Sequence, residues 1–475
     1  MKIFLLLSIL IGLTFFPKLV EAHKRAKYNI VIDTDCGVDD FRALTYFMAS
    51  RDCNINCITT VDGVLDPNQG ANYLNELLKL YHHEGIPLGE GEKHKASKEY
   101  SSHALSMWAK LFPINVKAEF KPALDVLSAA IKSENKRTII IALGPLSNIV
   151  ELFEKNPELI LKVDMVLWYS EFEKIPIGYN HNQSPEAYDK IISMKIPVKI
   201  MDGSGLKYSA TFLDFVSEIN SVYSKAIRMF FKDFDKSMMY YWDDFIPLYL
   251  SFPNMFEESV VSELSRTIKP KPECLYEVLI TSILNSNKPD IGVVFNELPT
   301  EGLMLIQDVN NISSQLIEKH GYMEFKITSL TSEIHSHMGI YSILGAKMGL
   351  RMIEYLHAGL DEIEIVSYAG SMPPISCLND GLQVGTGSTI GYGTITVENT
   401  DKPIPSAIVI YNGRKIRFSV KEEITNQINS DVGKLIKDYG LDSEMYWIKL
   451  REISLQYWLN ISRFDAFEIE EIESD

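Results

Sequence analysis

Short apolar runs alternate with amphipathic segments from Tyr28 to about Glu324. The apolar runs typical of buried strands cover residues 30–32, 57–61, 138–142, 165–169 and 198–201. Helical patterns lie between them, at residues 41–50, 70–82, 123–133, 146–155 and 185–194. This alternation predicts an α/β fold with a mostly parallel sheet flanked by helices. In such sheets ligands bind beyond the carboxyl ends of the strands.

A second pattern begins near Thr331 and predicts a smaller α+β domain. A helix is expected over residues 340–356, strands over 362–367, 407–411 and 415–419, a loop around Pro373-Pro374, and a glycine-rich stretch over 381–393. The predicted domains are therefore residues 24–328 and 329–465, followed by an acidic tail, 466–475. The acidic residues from 468 onwards are typical of a disordered tail.

Residues 1–22 are predicted to be a secretory signal peptide. Lys2 precedes an apolar run over residues 4–16, and Ala22 follows at a plausible cleavage point. An uncleaved membrane anchor is the alternative, although the run is short for a span of about 20 residues. We expect an exported protein, periplasmic or extracellular, without stable membrane insertion.

The net charge limits the kinds of partner this protein can have, and the cysteine count bears on whether disulfides are expected. A formal net charge of -17 argues against nucleic acid or an anionic membrane surface as the main partner. A small molecule is the expected partner. The five cysteines are too sparse for a disulfide framework in an exported chain: Cys36, Cys53, Cys57, Cys274 and Cys377.

Four aspartates crowd the turn after the first predicted strand: Asp33, Asp35, Asp39 and Asp40. They would repel one another unless a hard divalent cation with oxygen ligands lay among them. A helix–loop–helix calcium loop would need Glu at position 44, where Leu44 stands. A phosphotransferase usually has Asp-Gly-Thr at the second aspartate, and Cys36-Gly37 fits this poorly. A metal-assisted hydrolase fits best, and a solvated helix N-terminus is the plain alternative.

The aspartate turn resembles the Asp-x-Asp-Pro-Gly-x-Asp-Asp signature of the inosine-uridine nucleoside hydrolase family, with Cys36 in place of proline. Four other segments resemble that family in the same order, at residues 58–63, 142–148, 178–187 and 242–243. The resemblance covers residues 28–327. It implies calcium-dependent hydrolysis of the N-glycosidic bond of nucleosides to free base and ribose, in nucleoside catabolism and purine salvage. It is also compatible with a homo-oligomer.

The resemblance also implies roles for particular residues. Ca²⁺ would be held by Asp35, Asp40, the backbone carbonyl of Leu143 and Asp243. Asp35 would take the proton from the attacking water, while Asp39 and Asn180 would hold the sugar hydroxyls. Trp242 would stack on the base, which hints at a purine. His103 and Trp108 lie where the family places another base contact.

Two departures concern the sugar-binding residues. Val64 stands where the family commonly has asparagine, and Gly178 stands where it has a glutamate. A nearby acid, Glu171 or Glu173, could substitute. The alternatives are a weakly active or inactive protein that binds a nucleoside or glycoside, and a hydrolase of a non-standard ribosylated substrate.

The second domain, over residues 331–455, resembles a component of formylmethanofuran dehydrogenase. The resemblance lies in His335-x-His337 and in residues 376–383 and 386–393. Gly339 and Ser388 stand where that family has cysteines, so a tetrahedral zinc site is doubtful. Four residues could still form a weakened transition-metal or small-molecule site: His335, His337, Cys377 and Asp380. A purely structural module is the alternative.

Overall fold

A computed structural model describes residues 26–94, 98–113, 118–134, 137–203, 205–209, 211–232, 239–272, 275–285, 298–360 and 362–472. The predicted signal peptide and Cys274 lie outside these ranges. Within them, no helix combines the length and apolar character needed to cross a bilayer.

The first domain is built on a nine-stranded sheet within the described residues, with the spatial order β10-β11-β9-β6-β5-β1-β2-β3-β4. All neighbouring strands are parallel except β10 and β11. The strands, together with the separate hairpin β7–β8, are β1 Tyr28–Thr34, β2 Cys53–Thr60, β3 Leu88–Glu90, β4 Lys121–Pro122, β5 Thr138–Ala142, β6 Val163–Tyr169, β7 Glu171–Phe172, β8 Pro176–Ile177, β9 Val198–Met201, β10 Phe256–Val260 and β11 Ser265–Pro270.

Helices cover both faces of this sheet because successive strand residues point in opposite directions. Ile30 and Ile32 of β1 belong to one apolar core, whereas Val31 belongs to the other. The helices are α1 Val38–Ala49, α2 Pro67–Leu80, α3 Ser101–Leu111, α4 Ala123–Ser133, α5 Ser147–Lys155, α6 Tyr179–Gln183, α7 Ala187–Ser193, α8 Phe212–Ser217, α9 Val222–Phe231, α10 Phe245–Ser251 and α11 Tyr276–Leu284. The predicted fold class is confirmed.

The second domain combines helices with a five-stranded sheet of order β13-β12-β14-β15-β16 in the described residues. Its strands, antiparallel except for β12 with β13, are β12 Glu364–Ser367, β13 Ile395–Val397, β14 Ser406–Tyr411, β15 Arg414–Val420 and β16 Phe467–Ile472. The remaining helices are α12 Gln307–His320, α13 Tyr322–His335, α14 Ile340–Leu356, α15 Leu378–Thr386, α16 Glu422–Tyr439 and α17 Glu444–Asn460.

Part of the glycine-rich stretch, residues 381–386, is helical. These residues belong to α15, which packs closely on α14. A Cβ on Gly381 would lie 2.2 Å from the backbone nitrogen of Ala346, and one on Gly345 would lie 2.1 Å from the carbonyl oxygen of Leu378. The glycines therefore serve close helix packing, which outweighs their low helix propensity.

The acidic tail is also partly ordered, which corrects the expectation of disorder for residues 468–472. Phe467–Ile472 forms β16 and pairs with β15. Arg414 donates from Nε to Glu471 Oε1 at 2.7 Å, so a cross-strand cation balances part of the acidic charge. The predicted boundary between residues 328 and 329 falls inside α13, whose Phe325 packs on Trp458 of α17.

The second domain contacts the first near the amino ends of β1 and β3. The backbone nitrogen of Ala26 donates to Glu362 at 3.0 Å, and that of Gly85 donates to the carbonyl oxygen of Tyr355 at 2.7 Å. The aspartate turn follows the carboxyl end of β1. The second domain therefore lies away from the end of the sheet where a ligand is expected.

Candidate active site

The aspartate turn joins β1 to α1 through a left-handed residue. Cys36 has φ 59, its N–H donates to Thr34 Oγ1 at 3.1 Å, and its carbonyl accepts from Trp108 Nε1 at 3.0 Å. Proline cannot adopt a positive φ and has no N–H to donate. This turn is therefore incompatible with the proline of the family signature.

The four aspartates do not all face the same space. Asp33 is buried, and its Oδ1 accepts from Thr59 Oγ1 at 2.6 Å and from Asn148 Nδ2 at 2.9 Å. These bonds hold neighbouring strands and α5 together behind the turn. Asp33 is absent from the lining of the cavity described below, so its role is structural.

Three other carboxylates converge on one point. Asp39, Asp40 and Asp243 each offer an oxygen, and these oxygens all lie within 4.8 Å of one another. Burial raises the pKa of all three, and the neighbouring carboxylates raise those of Asp40 and Asp243 further. Asp243 Oδ1 is buried without a hydrogen-bond partner in the described part of the chain. Such crowding is unfavourable without a counter-charge.

Asp35 adjoins this cluster and is held by its own contacts. Its Oδ2 accepts from the backbone nitrogen of Val64 at 3.0 Å. A Cβ on Gly63 would lie 2.2 Å from the same oxygen, so this close approach requires glycine. Burial is the main cause that raises the pKa of Asp35 to about 7, and Asp39 adds to it. Val64 thus positions Asp35 through its backbone N–H, and this contact does not depend on the side chain at position 64.

The donor set fits a hard divalent cation, because carboxylate and carbonyl oxygens are the ligands that Ca²⁺ prefers. The predicted ligands were Asp35, Asp40, the Leu143 carbonyl and Asp243. Of these, Asp40 and Asp243 group with Asp39, so Asp39 can contact an ion as well as a substrate. In addition to burial, the charge of nearby Asp35 raises the pKa of both Asp40 and Asp243.

A cavity of about 1140 Å³ opens over these groups. The predicted residues Asp35, Asp39, Asp40, Leu143, Asn180 and Trp242 all line it. The amide of Asn180 donates to the carbonyl oxygens of Leu143 and Tyr169, at 2.9 and 3.2 Å. Asn180 is therefore fixed beside the Leu143 carbonyl, which keeps a second lone pair for an ion.

A carboxylate occupies the space beside Gly178. Glu171 lines the cavity, and its Oε2 lies 3.5 Å from where a Cβ on Gly178 would be. Gly178 itself has φ 89. The missing glutamate is thus replaced in space by an acid from β7, which pairs directly with β8. The sequence named Glu171 only as one of two candidates.

Helix α3 contributes residues both to the cavity lining and to the apolar core. His103 lines the cavity with its neighbours Glu99 and Tyr100. Trp108 is buried in the core, stacks on Tyr73 at 5.6 Å and does not line the cavity. A direct base contact by Trp108 is therefore excluded in this structure, and its indole supports the aspartate turn instead.

A buried ion pair links α1 to the loop that carries Trp242 and Asp243. Arg42 donates from Nε and Nη2 to the two carboxylate oxygens of Asp244, at 2.6 and 2.7 Å, and both side chains are fully buried. Nη2 also donates to the Tyr240 carbonyl at 2.8 Å, and Asp244 accepts from the backbone nitrogen of Trp242 at 3.3 Å. Sequence reasoning missed this pair.

The predicted residues of the second domain come only partly together. His335 Nδ1 contacts Asp380 at 2.7 Å, and the rings of His335 and His337 are 4.2 Å apart. A Cβ on Gly339 would lie 3.1 Å from His335 Nε2, so a ligand is missing where that family has cysteine. Among the described residues, neither these two histidines nor Cys377 and Asp380 join a group of three metal-binding side chains. A transition-metal site there gains no support.

Each of the two domains matches a different family of known proteins. Residues 30–264 match the family described as "Inosine-uridine preferring nucleoside hydrolase". The first domain belongs to this family. Residues 334–456 match the family described as "FmdE, Molybdenum formylmethanofuran dehydrogenase operon". The two predicted resemblances are therefore confirmed.

Individual relatives of this nucleoside hydrolase domain are distant. It is 24% identical over 196 residues to the pyrimidine-specific ribonucleoside hydrolase RihA of Shewanella sp. (strain MR-4), a match that spans 39% of this chain and 61% of that protein. RihA of Photobacterium profundum is 23% identical over 231 residues, or 45% of this chain and 73% of the relative.

Solved structures of two hydrolases are also similar. The inosine-uridine preferring nucleoside hydrolase of Bacillus anthracis shows 12% identity and a TM-score of 0.47, covering 55% of this chain and 100% of its own. The purine-preferring ribonucleoside hydrolase of Gardnerella vaginalis shows 16% identity and a TM-score of 0.43, covering 54% and 99%.

Proposed function

We propose that this protein hydrolyses the N-glycosidic bond of nucleosides, with Ca²⁺ in the aspartate cluster. The observation that carries the proposal is that Asp35, Asp39 and Asp40 line one cavity and that Asp243 converges with Asp39 and Asp40. The bound ion would supply a Lewis acid that favours deprotonation of the attacking water. A purine preference, from Trp242, and export of the protein remain predictions.

Asp35 acts as the general base. The Val64 N–H fixes one carboxylate oxygen and so orients the side chain at the cavity. A bound cation would keep this carboxylate ionised and ready to accept a proton. Asp39 and Asn180 hold the sugar hydroxyls, and Glu171 accepts from a further hydroxyl in place of the acid missing at Gly178. The buried carboxylates stabilise positive charge as the sugar becomes oxocarbenium-like.

Release of free base from a panel of nucleosides tests this function. We expect turnover in Ca²⁺ that a chelator abolishes and that returns when Ca²⁺ is added back. Asp35→Ala should remove turnover while calorimetry still detects Ca²⁺ binding through Asp39, Asp40 and Asp243. Glu76→Gln, in an exposed pair with Lys79, is the control. Ligand binding without release from any nucleoside would identify a binding protein and refute the proposal.

A further inference from the structure

Resting on the proposed function, we propose that the favoured substrate is a nucleoside whose base carries a positive charge. An N7-alkylated purine and an N-linked pyridinium share this chemistry. The feature that points to it is an acidic and aromatic rim at the exposed end of the cavity. The rim consists of Glu99, Tyr100, Tyr179 and Glu171, which all line the cavity.

The rim places two aromatic rings beside two carboxylates. Tyr100 is 51% exposed, and its ring centroid lies 5.3 Å from that of Tyr179 at an angle of 66°. The pKa of Tyr100 is raised first by burial and then by Glu99, with a contribution from Glu171, so both acids act on this ring. Aromatic faces with nearby negative charge attract a desolvated cation.

Among the described residues that line the cavity, none carries a permanent positive charge. No Lys or Arg lines it, and His103 is the one basic ring among the lining residues. Lys98 precedes Glu99 in the chain, but its ammonium binds Asp62 and the carbonyl oxygens of Gly63 and Leu65. A divalent ion would balance only half of the charge of the four aspartates at the cation site, three of which line the cavity. The field in the cavity therefore favours a cationic ligand.

The way in which the base leaves the sugar also favours a cationic base. A neutral base leaves as an anion unless it is protonated, and the indole N–H of Trp242 is a donor that does not give up its proton near neutral pH. In a cationic nucleoside the C1′–N bond breaks with its electron pair going to the ring nitrogen, which becomes neutral. The water oxygen bonds to C1′, and Asp35 takes the water proton. Base, ribose and one proton result, without any co-reactant.

The test compares matched substrates on the full-length protein in Ca²⁺. One pair is 7-methyladenosine and adenosine, and the other is a pyridinium riboside and its neutral dihydropyridine form. The measured quantity is the ratio of kcat/KM for the cationic member to that for the neutral member. Because both members share the sugar, sugar contacts cancel in this ratio. We expect a ratio of about ten or more for the unchanged protein.

Variants of the rim distinguish two causes of a high ratio. One is binding of the cation by the rim, and the other is the easier departure of a cationic base. Glu99→Gln and Glu171→Gln should each lower the ratio by about two- to fivefold, mainly through KM, while Glu76→Gln leaves it unchanged. A high ratio that neither rim variant alters would show that only the leaving group matters, and would overturn the inference. Equal or better turnover of the neutral members would overturn it while leaving nucleoside hydrolysis intact. No turnover of any nucleoside would refute both.

Discussion

Replacing Arg42 by methionine is the most informative perturbation of the first domain. Arg42 and Asp244 are both fully buried and joined by two bonds of 2.6 and 2.7 Å. Without the guanidinium, Asp244 would be a buried charge with no ionic partner, which costs about 3–5 kcal/mol. Arg451→Met is a matched control, because Arg451 forms a two-bond pair with Asp308 whose side chains are 31% and 41% exposed. That loss should cost at most about 1 kcal/mol.

The same change should weaken the cation site, because the ion pair anchors the loop that carries Asp243 to the helix that carries Asp39 and Asp40. Loss of a residue that orients metal ligands typically costs about 10- to 100-fold in affinity. Denaturant unfolding in Ca²⁺ and in chelator measures the first effect, and calorimetric Ca²⁺ titration measures the second. The double variant Arg42→Met/Asp244→Leu should recover most of the stability but not the Ca²⁺ affinity.

The reasoning would be refuted if Arg42→Met and Arg451→Met shifted unfolding equally and Ca²⁺ affinity were unchanged. Recovery of Ca²⁺ affinity in the double variant would show that the ion pair acts on stability alone.

Three further predictions follow from the aspartate turn. Cys36→Pro, although it restores the family signature, should destabilise the domain by about 3 kcal/mol, because proline cannot adopt φ 59; an unchanged melting temperature would contradict this. Gly63→Ala should lower kcat/KM about 100-fold by displacing Asp35, with Ca²⁺ binding through the other aspartates largely kept; normal kinetics would disprove the close approach. In chelator, the folded Asp35 keeps its proton up to a pKa of about 7, against an ordinary 3.8, so stability should fall as pH rises from about 4 to 7, by up to about 4 kcal/mol at pH 8. Unfolding at pH 5 and pH 8 checks this, and Ca²⁺ should restore stability at pH 8; a flat profile in chelator would rule it out.

The sequence predicted the strands of the first domain well, because buried parallel strands are continuous apolar runs. Thr138–Ala142 and Val198–Met201 were placed to the residue, and the helix Ile340–Leu356 likewise. The error in the acidic tail arose because composition was taken for structure: the acidic residues of β16 gain pairing and a cation from β15. The glycines of α15, for which the sequence predicted no element, serve close packing on α14.

By itself, the sequence determined that carboxylates crowd the carboxyl end of β1, because four aspartates lie within eight consecutive positions at the end of an apolar strand. Only the tertiary structure decided which of them act together. Asp33 turns to Asn148, while Asp243 joins Asp39 and Asp40 from a distant loop. Likewise, Arg42 meets a partner 202 positions away, and Glu171 fills the space beside Gly178 because two short strands pair. Such contacts depend on how distant segments pack and on strand register, which the local pattern of apolar and polar residues does not show.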